Sequence, residues 1–108
     1  MAYSTSNPPS LVTQGVAKTF SSTSGASTTS QQPRLWFYAN TDATTTVDGA
    51  GYITNARDLG MCVGDLVLYV KTDASPITVQ MMIVSAINST TGAADLSDGT
   101  AVTATNSD

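Results

Sequence analysis

Leu35-Trp36-Phe37-Tyr38 is the densest aromatic run in this 108-residue chain, and it follows a stretch, Ser21 to Ser30, made wholly of Ser, Thr, Gly and Ala. Aromatic and β-branched side chains fit a pleated, half-buried surface, so the run reads as a strand. Side chains alternate along a strand, which puts Trp36 and Tyr38 on one face and Leu35 and Phe37 on the other. Both faces are then apolar. Such a strand needs cover on both sides, from the core on one and from a neighbouring subunit on the other.

Toward the C-terminus the same pattern recurs between turn signals. Val63-Gly64-Asp65 opens Leu66-Val67-Leu68-Tyr69-Val70, the clearest strand in the sequence, and Asp73-Ala74-Ser75-Pro76 reverses the chain. Ile77 to Ile87 is apolar enough for one long strand, with Asn88 to Gly92 as the turn into Ala93–Leu96. Asp98-Gly99 is a hairpin dipeptide and predicts a last strand over Thr100–Ala104. Between the aromatic run and Asp65, Thr44–Val47 reads as a short strand and Asn55 to Leu59 as a helical turn or loop. No helix exceeds two turns. The expected class is all-β, a small antiparallel barrel or sandwich with an extended N-terminal arm.

That arm is residues 1–33, with the compact β domain over 34–108. Met1 to Pro33 carry no acidic residue and one charge, Lys18. Pro8 and Pro9 force extended backbone, and Leu11, Val12, Val16 and Phe20 are the anchors by which the arm would lie on a partner. Apart from Tyr3, the arm has no other large apolar residues, too few to order it alone. Folding back on its own domain is the alternative. Ser21 to Ser30 reads as a connector.

The composition excludes much else. Net charge is −4 and the four basic residues, Lys18, Arg34, Arg57 and Lys71, are scattered, so there is no electropositive footprint for nucleic acid. There is no His and no Glu, which removes Ser-His-Asp and Cys-His catalysis and His-based metal cages, and leaves only a paired-Asp site for an enzyme. Asp42, Asp48, Asp95 and Asp98 do not follow the EF-hand spacing and read as turn residues. No cofactor or metal is called for, and no catalytic residue is assigned. The lone Cys62 reads as a small buried hydrophobe. The longest apolar runs are too short to span a bilayer, and the N-terminus lacks the pattern of a secretory signal, so synthesis in a cytoplasm is expected. Charged residues make up only 11% of the chain, which suits extensive protein contact and makes a homo-oligomer the expectation for so small a body. Trp36, Phe37, Tyr38, Tyr52, Leu66 and Leu68 are the candidates for core or subunit interface. Met81-Met82 reads as core.

Four motifs in order carry a resemblance: Asn7-Pro8-Pro9-Ser10-Leu11-Val12; Leu35-Trp36-Phe37-Tyr38 with Thr41-Asp42; Gly51-Tyr52-Ile53-Thr54-Asn55-Ala56; and Leu59-Gly60-Met61-Cys62-Val63-Gly64-Asp65-Leu66-Val67. The set resembles small structural virion proteins of tailed bacteriophages and prophages, with Ile53 where Phe is commoner. The resemblance implies a β-rich protein of the phage particle, attached to the head and without catalytic residues. A capsid decoration, or cement, protein follows as the leading expectation. Its arm and oligomeric β body, trimeric for preference, would bind the major capsid protein or another virion protein, and it would be located in the virion. The alternative is the base or shaft of a head or tail fibre with an adhesive or glycan-binding role, for which Tyr52 or Tyr69 would be the platform.

Overall fold

The computed structural model describes residues 2–12, 34–75 and 77–102. They form six strands and two single helical turns: β1 Ser10–Leu11, β2 Leu35–Asn40, α1 Thr44–Val47, α2 Ala56–Leu59, β3 Leu66–Lys71, β4 Thr78–Ile87, β5 Ala94–Leu96 and β6 Thr100–Val102. The strands make one open mixed sheet in the order β1-β2-β3-β4-β5, with β6 also on β4. The fold is all-β and sandwich-like, with one layer the sheet and the other the irregular segment 41–65.

One pair departs from the antiparallel expectation. β2 and β3 run parallel, Trp36 opposite Val67 and Tyr38 opposite Tyr69. Parallel neighbours cannot be joined by a tight turn; the chain must cross over a face of the sheet to return to the starting end. Residues 41–65 make that crossing and carry Val47, Ile53, Ala56, Met61 and Cys62, all without solvent exposure. They pack on the inner face of the sheet, formed by Trp36 and Tyr38 of β2, Val67 and Tyr69 of β3, Met82 and Val84 of β4 and Leu96 of β5. Cys62 is the buried small hydrophobe its sequence context suggested.

The crossing explains α1. Thr44–Val47 was expected as a strand, but the Ala43 carbonyl accepts from the N–H groups of both Thr46 (2.9 Å) and Val47 (3.1 Å), closing a helical turn. The β-branched penalty against helix is a few tenths of a kcal/mol per residue, roughly 0.7 at most. A single turn that delivers Val47 into the core outweighs it. Gly60, with φ at 92°, then ends α2 in the left-handed conformation that favours glycine.

A second correction concerns Asp98-Gly99, which is not a hairpin. β5 pairs with the far half of β4 (Leu96 opposite Val84) and β6 continues along the same edge (Thr100 opposite Met81). The step between them is held by the Ser97 N–H donating to the Ile83 carbonyl (2.8 Å) and the Ile83 N–H donating to Ser97 Oγ (2.9 Å). Glycine is required at 99 for room: a Cβ there would lie 2.8 Å from Gln80 Cβ.

Residues 2–12 do not stand off from the body. β1 pairs antiparallel with β2, Leu11 opposite Trp36. Asn7 Nδ2 donates to the Ala39 carbonyl at 2.9 Å, and Tyr3 packs against the core. Over this stretch the extended N-terminal segment lies along its own domain. Val16, Phe20 and the connector Ser21 to Ser30 lie outside the described residues.

Candidate interaction surface

The strands' pleat divides the residues expected at the core or interface into two sets. Trp36 and Tyr38 point inward and are buried, Tyr52 reaches the same side from the crossing segment, and Phe37, Leu66 and Leu68 point outward. The two sides have opposite chemistry.

On the inner side polar side chains are held by specific partners. Asp65, fully buried, accepts from Trp36 Nε1 (3.0 Å), the Cys62 N–H (3.1 Å) and the Arg34 N–H (3.2 Å). It ties the start of β2 to the end of the crossing. Arg34 extends over the Trp36 ring, 5.5 Å from its centroid, and donates through Nη2 to the Gly60 carbonyl at 2.5 Å. At the other end four tyrosines cluster. Tyr38 stacks on Tyr69 at 5.5 Å, and Tyr3 meets Tyr52 edge-on at 5.6 Å. The Tyr52 hydroxyl donates to Asp42 Oδ2 (2.6 Å), the Tyr69 hydroxyl to the Asp42 carbonyl, and the Tyr3 hydroxyl to Asn55 Oδ1. Burial, seconded by the Asp42 carboxylate, pushes the Tyr52 phenol far above its ordinary value. Burial does the same to Tyr69 and raises Tyr3 to about 12. Among the described residues no three metal-ligating side chains converge.

On the outer side, residues paired across strands share a face and form rows. Leu35, Leu66 and Ile83 make one; Phe37, Leu68, Met81 and Thr100 the next; Ala39, Val70, Val79 and Val102 a third. None is charged. Phe37 is 48% exposed, Ile83 46% and Val102 50%, with Leu66 and Leu68 half-buried. Contiguous apolar surface of this kind marks a contact site. Beside Phe37 the face has a hollow of about 340 Å³, walled by Asn7, Pro8 and Ser10 on one side and by Ala39, Leu68 and Val70 on the other.

Of the expected arm residues, Pro8 lines this hollow, Pro9 is buried, and Leu11 and Val12 are exposed along the sheet edge. Met82 is core as expected, while Met81 joins the outer face. Sequence reasoning missed Val70, Val79, Ile83 and Val102 as members of the surface. The signal was present: each alternates with a core residue or sits in register with Leu68 or Phe37. Tyr69 has no exposure, and half-buried Tyr52 has its hydroxyl bonded to Asp42.

Comparison with protein-family models, with curated proteins and with solved structures found no match for the chain.

Proposed function

We propose that this chain is a non-catalytic building block of a bacteriophage particle, a capsid decoration protein held on the head by protein–protein contact. One observation carries the reading: a sheet with one face sealed by its own crossing segment and the other a three-row, uncharged apolar surface. Soluble monomers rarely present such a face, and assembly units do. Support also comes from the ordered motifs that resemble phage virion proteins, whose residues now have structural reasons: Trp36 and Asp65 bond to each other, and Tyr52 and Asp42 likewise. The capsid-facing contact falls to the edge carrying Leu11 and Val12, and the partner is the major capsid protein or another virion protein. A fibre base or shaft is the second reading. Its glycan-binding form has less support, because Tyr69 is buried and the half-buried Tyr52 spends its hydroxyl on Asp42.

Labelling intact particles with an antibody to the chain tests the proposal. Label over the head surface is expected. Label confined to the tail, or particles that lack the chain, would overturn it.

A further inference from the structure

We infer that the Asp98-Gly99 peptide is a site of spontaneous rearrangement to an isoaspartyl linkage, assisted by the Asp48 carboxyl, and that the rearrangement frees β6 from β4.

The reaction needs a carboxyl that can lose its hydroxyl as water, a backbone nitrogen free to attack that carboxyl, and no side chain in the way. Asp98 is exposed and lies in the step between β5 and β6, outside both strands. The Gly99 N–H donates to no backbone carbonyl among the described residues. Glycine also has no Cβ to hinder the approach of its nitrogen to Asp98 Cγ.

Asp48 brings the proton. It reaches Asp98 from the crossing segment at hydrogen-bonding distance, and two carboxyls so placed hold a proton between them more tightly than either would alone. Burial first, and then the Asp98 and Asp95 carboxylates, raise the Asp48 pKa above its ordinary value. With the shared proton on Asp98, the Gly99 nitrogen bonds to Cγ and passes its own proton to the Asp48 carboxylate. Asp48 returns that proton to the departing hydroxyl, the Cγ–OH bond breaks, water leaves and a succinimide ring closes. Water then adds to the former Asp98 backbone carbonyl carbon, whose bond to the Gly99 nitrogen breaks as that nitrogen regains a proton. The water consumed balances the water released, and the main chain now runs through Cβ and Cγ of residue 98.

That path is longer by one CH₂, and the step has no slack to absorb it. Ser97 is bonded to Ile83 in both directions, Thr100 is in register with Met81, and Gly99 lies against Gln80. The three exposed residues of β6 are the part that yields. Their release leaves the edge of β4 from Val79 to Met81 unpaired, a template for another strand.

Ageing of the purified full chain in mildly acidic buffer tests the site, read by isoaspartate methyltransferase labelling and fragment mass spectrometry. Label at residue 98 is expected in the folded chain, at a rate no lower than in the same chain unfolded in urea. Asp48→Asn, which cannot relay the proton, is expected to slow labelling about tenfold or more. Near-UV circular dichroism from Trp36 and the tyrosine cluster verifies that this variant stays folded. Hydrogen exchange of the aged chain is expected to show β6 amides unprotected while those of β3 stay protected. Slower labelling in the folded chain than in urea, or a rate indifferent to Asp48→Asn, would overturn the assisted reaction. A labelled chain whose β6 amides remain protected would overturn the release.

Discussion

Trp36, near the start of β2, and Asp65, the last residue of the crossing segment, are joined by a 3.0 Å hydrogen bond from the indole N–H to a fully buried carboxylate. The same carboxylate receives two backbone N–H groups, so it closes three donors at the point where β2 and β3 begin. Asp65→Ala strands all three and is expected to lower stability by about 3–5 kcal/mol. Asp65→Asn keeps one acceptor oxygen and is expected to cost less. Urea titration of tryptophan fluorescence measures both, and equal costs for the two would show that the carboxylate's hydrogen bonds are not what matters.

Tyr3 fixes residues 2–12 to the body through ring contacts with Tyr38 and Tyr52 and a hydroxyl bond to Asn55. Tyr3→Phe should cost about 1 kcal/mol, one partly buried hydrogen bond. Tyr3→Ala removes the ring as well and should cost about 3 kcal/mol. Hydrogen exchange locates the effect: amides of β1 and its β2 neighbours should lose protection in Tyr3→Ala before those of β4. Uniform loss across the sheet would refute the local role of the ring.

The tyrosine cluster sets an alkaline limit on the fold. Burial raises the Tyr3 phenol to about 12 and puts Tyr52 and Tyr69 higher still. Between the ordinary value near 10 and these raised values, the folded chain holds more protons than the unfolded one. Stability therefore falls as pH rises through that window and is unaffected by these groups below about pH 9. Absorbance at the tyrosinate wavelength should show these three phenols ionising only as the protein unfolds. Their titration near the ordinary value in a folded protein would contradict the packing described.

Gly99 lies against Gln80, and any Cβ there must displace it or move β6. Gly99→Ala is expected to destabilise by about 1–3 kcal/mol, the usual cost of overpacking. Gln80→Ala in the same chain should recover part of this, because the amide is removed while Cβ stays. Thermal melts of the two single variants and the double variant form the cycle. Strict additivity would show that the two sites do not meet.

Much of this architecture is legible in the residues. Alternation in Leu35 to Tyr38 and Leu66 to Val70 separates the two faces correctly, and the apolar run Ile77 to Ile87 marks the long strand β4. The parallel pairing of β2 and β3 is not legible, because it depends on where residues 41–65 return, and their Gly- and Asp-rich turns look like hairpin connections. Thr44–Val47 misleads because four residues are too few for periodicity to overrule β-branching. Asp98-Gly99 has hairpin composition, yet its glycine serves a close approach across strands that only the register reveals. Tyr3 gave no periodic signal, being one aromatic residue in a polar segment. The outer face was half-visible: Phe37, Leu66 and Leu68 were picked out, but their continuity with Ile83 and Val102 is a property of strand order.

The parallel β2–β3 pair also shapes how the chain is made. Ribosomes add roughly 5–20 residues per second, so Leu35 to Tyr38 emerges a few seconds before its partner, Leu66 to Val70, exists. β3 and β4 are joined by a short reversal and meet as soon as they are synthesised, whereas β2 must wait for a non-local closure. The most aromatic strand thus waits, with only the two-residue β1 beside it, for the partner that completes its pairing. Nascent chains on crowded polysomes are at their stickiest during that interval, and a holdase that shelters the Trp-Phe-Tyr run would raise the yield of folded protein.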